Sequence, residues 1–195
     1  MNRPLKIMTF GDSLTLGTQS PSSQNPTGRP TPHGRFLREL LGDAAEILVQ
    51  GVNGELTAEM VMRLDRDVIS QKPDYAVILG GANDLGWGAH PSEVMRNLVT
   101  MYERVRSSGI QPVAVTVPSI RGFARLIPPR QTLNRLIAEY CQTKQQPFVD
   151  LFAATAEPET LSLAEKYSND GLHLTTEGYR LLAELLCDEV FKPSA

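Results

Sequence analysis

Two cysteines, three histidines and one tryptophan leave this sequence little material for a disulfide framework, a histidine-rich metal centre or a broad aromatic stacking surface. Cys141 and Cys187 fall in segments with helical periodicity, with no C-x-x-C and no histidine at ligand spacing, so free thiols are expected and no metal site is. Excess basic charge is also missing. Nineteen Lys and Arg against 22 Asp and Glu give a net charge of -3, and the arginines are scattered, so no nucleic-acid partner is expected. Long apolar runs are absent too: Lys6 and Asp12 interrupt the first apolar segment, and no later window reaches the length of a signal peptide or membrane span. The expectation is a cytoplasmic protein without integral membrane association.

With 41% hydrophobic residues, a chain of 195 residues can bury a substantial core, and a single domain over residues 1–195 is expected. "LKIMTF" (5–10), "EILVQ" (46–50), "DYAVILG" (74–80), "QPVAVTV" (111–117) and "PFVDL" (147–151) read as strands buried on both faces. Helical periodicity lies between them. Val94, Leu98, Met101 and Val105 follow Pro91 and precede Gly109; Thr57 is placed to cap a helix with Met60, Val61, Leu64 and Val68. Further faces are Phe36, Leu37, Leu40 and Leu41; Leu133, Leu136, Ile137 and Tyr140; and Tyr179, Leu182, Leu186 and Val190. The alternation predicts an α/β protein with a central, mainly parallel five-stranded sheet between two helical layers. Residues 18–32 hold no large apolar side chain and read as a solvated loop.

In such a sheet ligands gather at the carboxyl ends of the strands. Ser13 follows the first strand, Gly51 and Gly54 the second, "GGANDLGWG" (80–88) the third, and "NDGLHLT" (169–175) lies beyond the fifth. Taken singly, each has an ordinary reading: Ser13 fits a turn or N-cap, and "NDG" fits a turn beside a surface histidine. Together they supply the parts of acyl transfer. A serine hydroxyl needs a base, and the base needs an orienting group; His173 alone among the histidines has an acid, Asp170, three residues before it. Donors for an oxyanion are available from the backbone of Ser13, from Gly54 and from Asn83. Gly81, Gly86 and Gly88 could also suggest a phosphate cradle, but no G-K-[ST] or G-x-G-x-x-G occurs.

These blocks resemble the GDSL-type esterases and lipases, or SGNH hydrolases: Gly11-Asp12-Ser13-Leu14, "GVNGELT" with Gly54, Gly81-Ala82-Asn83-Asp84, and Asp170-Gly171-Leu172-His173. The likeness of layout runs from about Ile7 to the last helix, with Val49 standing where family members often carry asparagine. The resemblance implies a three-layer, flavodoxin-like SGNH fold. It implies Ser13 as nucleophile, His173 as general base and then acid, Asp170 as its orienting group, and Ser13, Gly54 and Asn83 as oxyanion donors. The substrate implied is a small-molecule carboxylic ester or thioester, with no metal and no organic cofactor; a sugar O-deacetylase on the same site, or a silent binding module on the same fold, are the alternatives.

Other residues stay open. Trp87 and Phe123 either wall the substrate site or pack, and "PSIRGFARLIPP" (118–129), with Ile120, Phe123, Leu126 and Ile127, forms an acyl-binding wall, a lid or a core cover. His33 and His90 stand beside prolines at helix starts and read as caps or solvated residues. Asp12 is expected to support its turn, while Asp65 and Asp67 diverge on their helix.

Overall fold

The computed structural model describes residues 3–23 and 25–192. Five parallel strands form one sheet: β1 (Leu5–Gly11), β2 (Ala45–Gly51), β3 (Tyr75–Leu79), β4 (Gln111–Val115) and β5 (Phe148–Val149), in the order β2-β1-β3-β4-β5. The helices are α1 (Ser13–Leu16), α2 (His33–Leu41), α3 (Thr57–Asp67), α4 (Ala82–Gly86), α5 (Pro91–Ser107), α6 (Ile127–Lys144), α7 (Leu151–Thr155) and α8 (Thr176–Leu186). They cover both faces of the sheet, giving the three layers expected. α2 packs on α8, while α5 packs on both α3 and α6.

The apolar strand residues Ile7, Met8, Phe10, Val77, Ile78, Val113 and Val115 are all at most 1% exposed, as a sheet covered on both faces requires. The strand order reverses beside β1: β2 lies on one side of it and β3 on the other. The crevice that this reversal opens at the carboxyl ends is the usual ligand position of a doubly wound sheet. Ser13 stands directly above it.

Several local expectations are corrected. β3 and β4 end two residues or less earlier than their apolar runs, and β5 shrinks to Phe148–Val149 because Asp150 leaves the strand to cap α7, accepting from Ala153 N. Thr57 is the first helical residue and not the cap, which falls to Leu56; the Thr57 hydroxyl instead donates to Asp84 at 2.6 Å. Leu126 and Ile127 are not loop residues, since a 3-10 turn over Ala124–Leu126 runs into α6, whose first turn accommodates Pro128 and Pro129. Ile120 and Ile127 are buried, so this part of 118–129 covers the core.

The described residues of 18–32 form a loop, yet the first of them are not simply solvated. Gln19 is buried and its amide donates to Thr31, while the Tyr179 hydroxyl donates to the Thr18 carbonyl at 2.6 Å. His90 caps α5 as expected. His33 does not cap: it occupies the first position of α2 at 1% exposure, and burial drives its pKa down to about 4. Both cysteines are free and buried. Among the described residues no helix is long and apolar enough to cross a membrane.

Candidate active site

Ser13 is presented by a tight turn between β1 and α1. Asp12 follows the strand, and its side chain caps the helix by accepting from Leu14 N at 2.9 Å, which sets Ser13, 7% exposed, at the helix start. Asp12 is wholly buried; that burial lifts its pKa to about 7, against the hydrogen bond from Leu14 and the nearby His173. Its expected part in the turn is therefore met, from a desolvated position.

His173 reaches Ser13 across a sequence separation of 160: its Nε2 lies 3.2 Å from Ser13 Oγ. Its other ring nitrogen, Nδ1, lies 2.9 Å from Asp170 Oδ2. Asp170 is fixed by its own turn. Oδ1 accepts from Leu172 N at 2.8 Å and His173 N at 2.7 Å, and Oδ2 accepts from the Ser20 hydroxyl at 2.7 Å. Partial burial works against its charge, but the hydrogen bonds from His173, Leu172 and Ser20 outweigh it and hold the carboxyl well below the usual range. Beneath this turn the Ser168 hydroxyl accepts from Gly171 N and donates to the His173 carbonyl at 2.7 Å.

The loops after β2 and β3 meet at the same place. Asn83 donates from Nδ2 to the Glu55 carbonyl at 3.0 Å, so the amide is tied to the residue that follows Gly54. Asp84 secures the other side, accepting from Thr57 N and from the Thr57 hydroxyl. Gly81 admits no side chain here: its φ is +113°, and a Cβ would stand 2.8 Å from Val94 and 3.0 Å from Leu133. Gly54 is exposed in a turn at φ +74°, with open space where a Cβ would be.

Beneath the loop of Gly54 lies an ion pair that sequence reasoning missed. Arg63, 8% exposed, bonds Glu55 through Nε at 2.6 Å and Nη2 at 2.5 Å, reaches Asp67 at 3.1 Å, and donates to the Gly11 carbonyl at 3.0 Å. It also lies over the Phe10 ring at 4.1 Å. The ends of β1 and the β2–α3 loop are thus joined by one guanidinium. A signal was present, because Arg63 sits between Met60 and Leu64 on the apolar side of its helix. Ser20 was missed as well, with no sequence signal to single it out among the serines of its loop.

A cavity of about 300 Å³ is walled in part by Asn83 and by Leu172, the residue before His173. Trp87 and Phe123 line it and are 84% and 55% exposed, which places both at its mouth and not in the core. Asp65 and Asp67 diverge, Asp65 pairing with Arg104 and Asp67 with Arg63 and Arg66.

The family profile "GDSL-like Lipase/Acylhydrolase family" matches residues 9–181. The chain belongs to this family. It is 28% identical over 193 residues to an arylesterase of Vibrio mimicus, covering 96% of this chain and 88% of that one. It is 23% identical over 205 residues to an acetylxylan esterase of Geobacillus stearothermophilus, covering 95% and 93%. A crystal structure of a catalytic mutant of Axe2, an acetylxylan esterase from Geobacillus stearothermophilus, superposes with a TM-score of 0.80 at 20% identity, over 97% of this chain and 95% of that chain, and so shares its fold. The uncharacterized lipoprotein YqeF of Bacillus subtilis is 32% identical over 123 residues; the match spans 60% of this chain and half of that relative's length.

Proposed function

We propose that this GDSL-family chain is a serine esterase working through an acyl-enzyme, with Ser13 as nucleophile and His173 as base. The observation that carries the reading is the unbroken line from Ser13 Oγ to His173 Nε2 at 3.2 Å and from His173 Nδ1 to Asp170 Oδ2 at 2.9 Å. Asp170 accepts from Nδ1, which fixes the tautomer that leaves Nε2 free to take a proton. Its depressed pKa keeps it ionised beside the imidazolium that forms.

Ser13 Oγ adds to the ester carbonyl carbon while its proton passes to His173 Nε2. The oxyanion is met by the N–H of Ser13 and of Gly54, neither of which donates elsewhere among the described residues. The second Nδ2 hydrogen of Asn83, whose contact with Asp12 Oδ2 is long at 3.4 Å, joins them. Collapse of the tetrahedral species breaks the C–O bond, and His173 returns the proton to the leaving alcohol. Water then repeats the sequence on the acyl-enzyme, restoring Ser13. A thioester fits the same steps with a thiol as leaving group.

A second reading, removal of acetyl groups from a saccharide, is favoured by one feature. Trp87 and Phe123 stand exposed at the mouth of the cavity, where aromatic faces could stack on a sugar; the acetylxylan esterase relative has that activity in its name.

The test is turnover of a short p-nitrophenyl ester by the native protein and by Ser13→Ala. Loss of activity by at least about 10³-fold, with the fold intact by circular dichroism, is the expected result. Equal rates for the two proteins would assign the chain to a silent binding module, and acetate release confined to acetylated xylooligosaccharides would move it to the second reading.

A further inference from the structure

The cavity that Asn83 and Leu172 line has an unusual wall. Arg130, 1% exposed, forms part of it, and Arg125 lines it from the surface; no acidic residue does. Among the described residues Arg130 has no ion-pair partner. Its one hydrogen bond runs from Nη1 to the Leu126 carbonyl at 3.1 Å, within its own helical turn. Nε is buried without any acceptor, and Nη2 makes no hydrogen bond either.

Such a buried cation is costly unless something neutralises it. Burial lowers the Arg130 pKa to about 10, with no carboxylate acting to raise it, so the group stays charged at neutral pH. The free group is also a particular one: Nη2 is not closed off by burial, and it is the guanidinium donor left for a carboxylate oxygen in the cavity that Arg130 lines.

We propose that Arg130 is the anion-binding residue of a substrate subsite, and that the preferred esters carry a carboxylate a few atoms from the scissile carbonyl. The proposal rests on the esterase reading above and narrows its substrate class. Arg125 adds a second, exposed positive charge at the approach to the site. The remaining wall, with Ile120, Leu126 and Leu172, takes the methylene segment between the two ends of such a substrate.

The carboxylate could lie on the acyl side or the alcohol side, and paired substrates separate the two. Mono-p-nitrophenyl glutarate is compared with its methyl ester, and 4-butyryloxybenzoate with its methyl ester. In at least one pair the native enzyme should favour the anion by about tenfold in kcat/KM, although an apolar cavity without Arg130 would reject it. Arg130→Met should abolish that ratio, and Arg130→Lys, which keeps charge without the guanidinium, should restore part of it.

Equal or slower turnover of both carboxylates, or a preference that survives Arg130→Met, overturns the proposal. Should Arg130→Met fail to fold, competition decides: glutarate must inhibit native turnover of p-nitrophenyl butyrate competitively, where the uncharged glutaramide does not, and absence of inhibition overturns the subsite. If no ester is turned over, the esterase reading fails on its own. Calorimetric titration of glutarate into native protein and Arg130→Lys then tests the subsite, weaker binding by the lysine variant supporting it and no binding to either overturning it.

Discussion

On the wall that bears Ser13, the buried Arg63 is bonded to Glu55, Asp67 and the Gly11 carbonyl, and Asp12 caps its helix from full burial. On the wall that Arg130 shares with Leu172, Arg130 is buried at least as deeply with one carbonyl for company, and nearby in sequence to Leu172 Asp170 is held by its own turn together with Ser20. Polar groups of the first wall are occupied with one another; those of the second are held locally or left free. Substitutions should therefore damage the fold on one side and the chemistry on the other.

The largest effect sharpens the second half of that contrast. Asp170→Asn keeps an oxygen to accept from Leu172 N and His173 N but loses the ionised partner of Nδ1. Esterase turnover should fall about 10³- to 10⁴-fold with the melting temperature nearly unchanged. A large drop in melting temperature instead would make Asp170 a structural residue.

Arg63→Met tests the first wall. It leaves the Glu55 carboxylate buried without its partner, and urea denaturation should show a loss of about 3–5 kcal/mol. The double variant Arg63→Met with Glu55→Leu should recover much of this, since no charge then remains buried. Comparable losses in Arg63→Met and Arg130→Met would break the comparison, because only Arg63 has a buried carboxylate to strand.

The smallest effect concerns pH. The native state binds a proton on Asp12 up to about pH 7, against an ordinary value of 3.8, so between these values stability falls as pH rises. His33 acts in the opposite sense: with its native pKa near 4 against 6.5, the unfolded chain holds the extra proton in that interval, and stability rises with pH. Asn can still cap α1, so Asp12→Asn removes only the first slope. Urea melts at about pH 4.5 and 6.5 should then show a clear rise that the native protein lacks; an unchanged profile would assign Asp12 an ordinary titration.

The sheet was legible because strands buried on both faces write themselves as apolar runs, and the helices because their faces repeat every three or four residues. Where local polar chemistry competes, the reading slipped. Asp150 cut β5 short by turning to cap α7, and Asp84 drew Thr57 into the helix by taking its hydroxyl. The distant pair Ser13 and His173 was legible through position at the carboxyl ends of the sheet together with residue type, the spacing of Asp170 to His173 and the family resemblance of the blocks that hold them. Arg63 had a signal in its place on the apolar side of its helix, but Arg130 did not, because composition counts arginines as surface charge, whereas burial of that guanidinium depends on neighbours that only folding supplies.

Ser13 and His173 lie at opposite ends of a 160-residue interval, and the β1 strand beneath the serine sits inside the sheet between β2 and β3. During synthesis the hydroxyl emerges long before the imidazole that would activate it. On the proposed mechanism a nascent or half-folded chain therefore lacks the base that activates its serine, and the first turnover would mark the moment at which the entire interval has closed on itself.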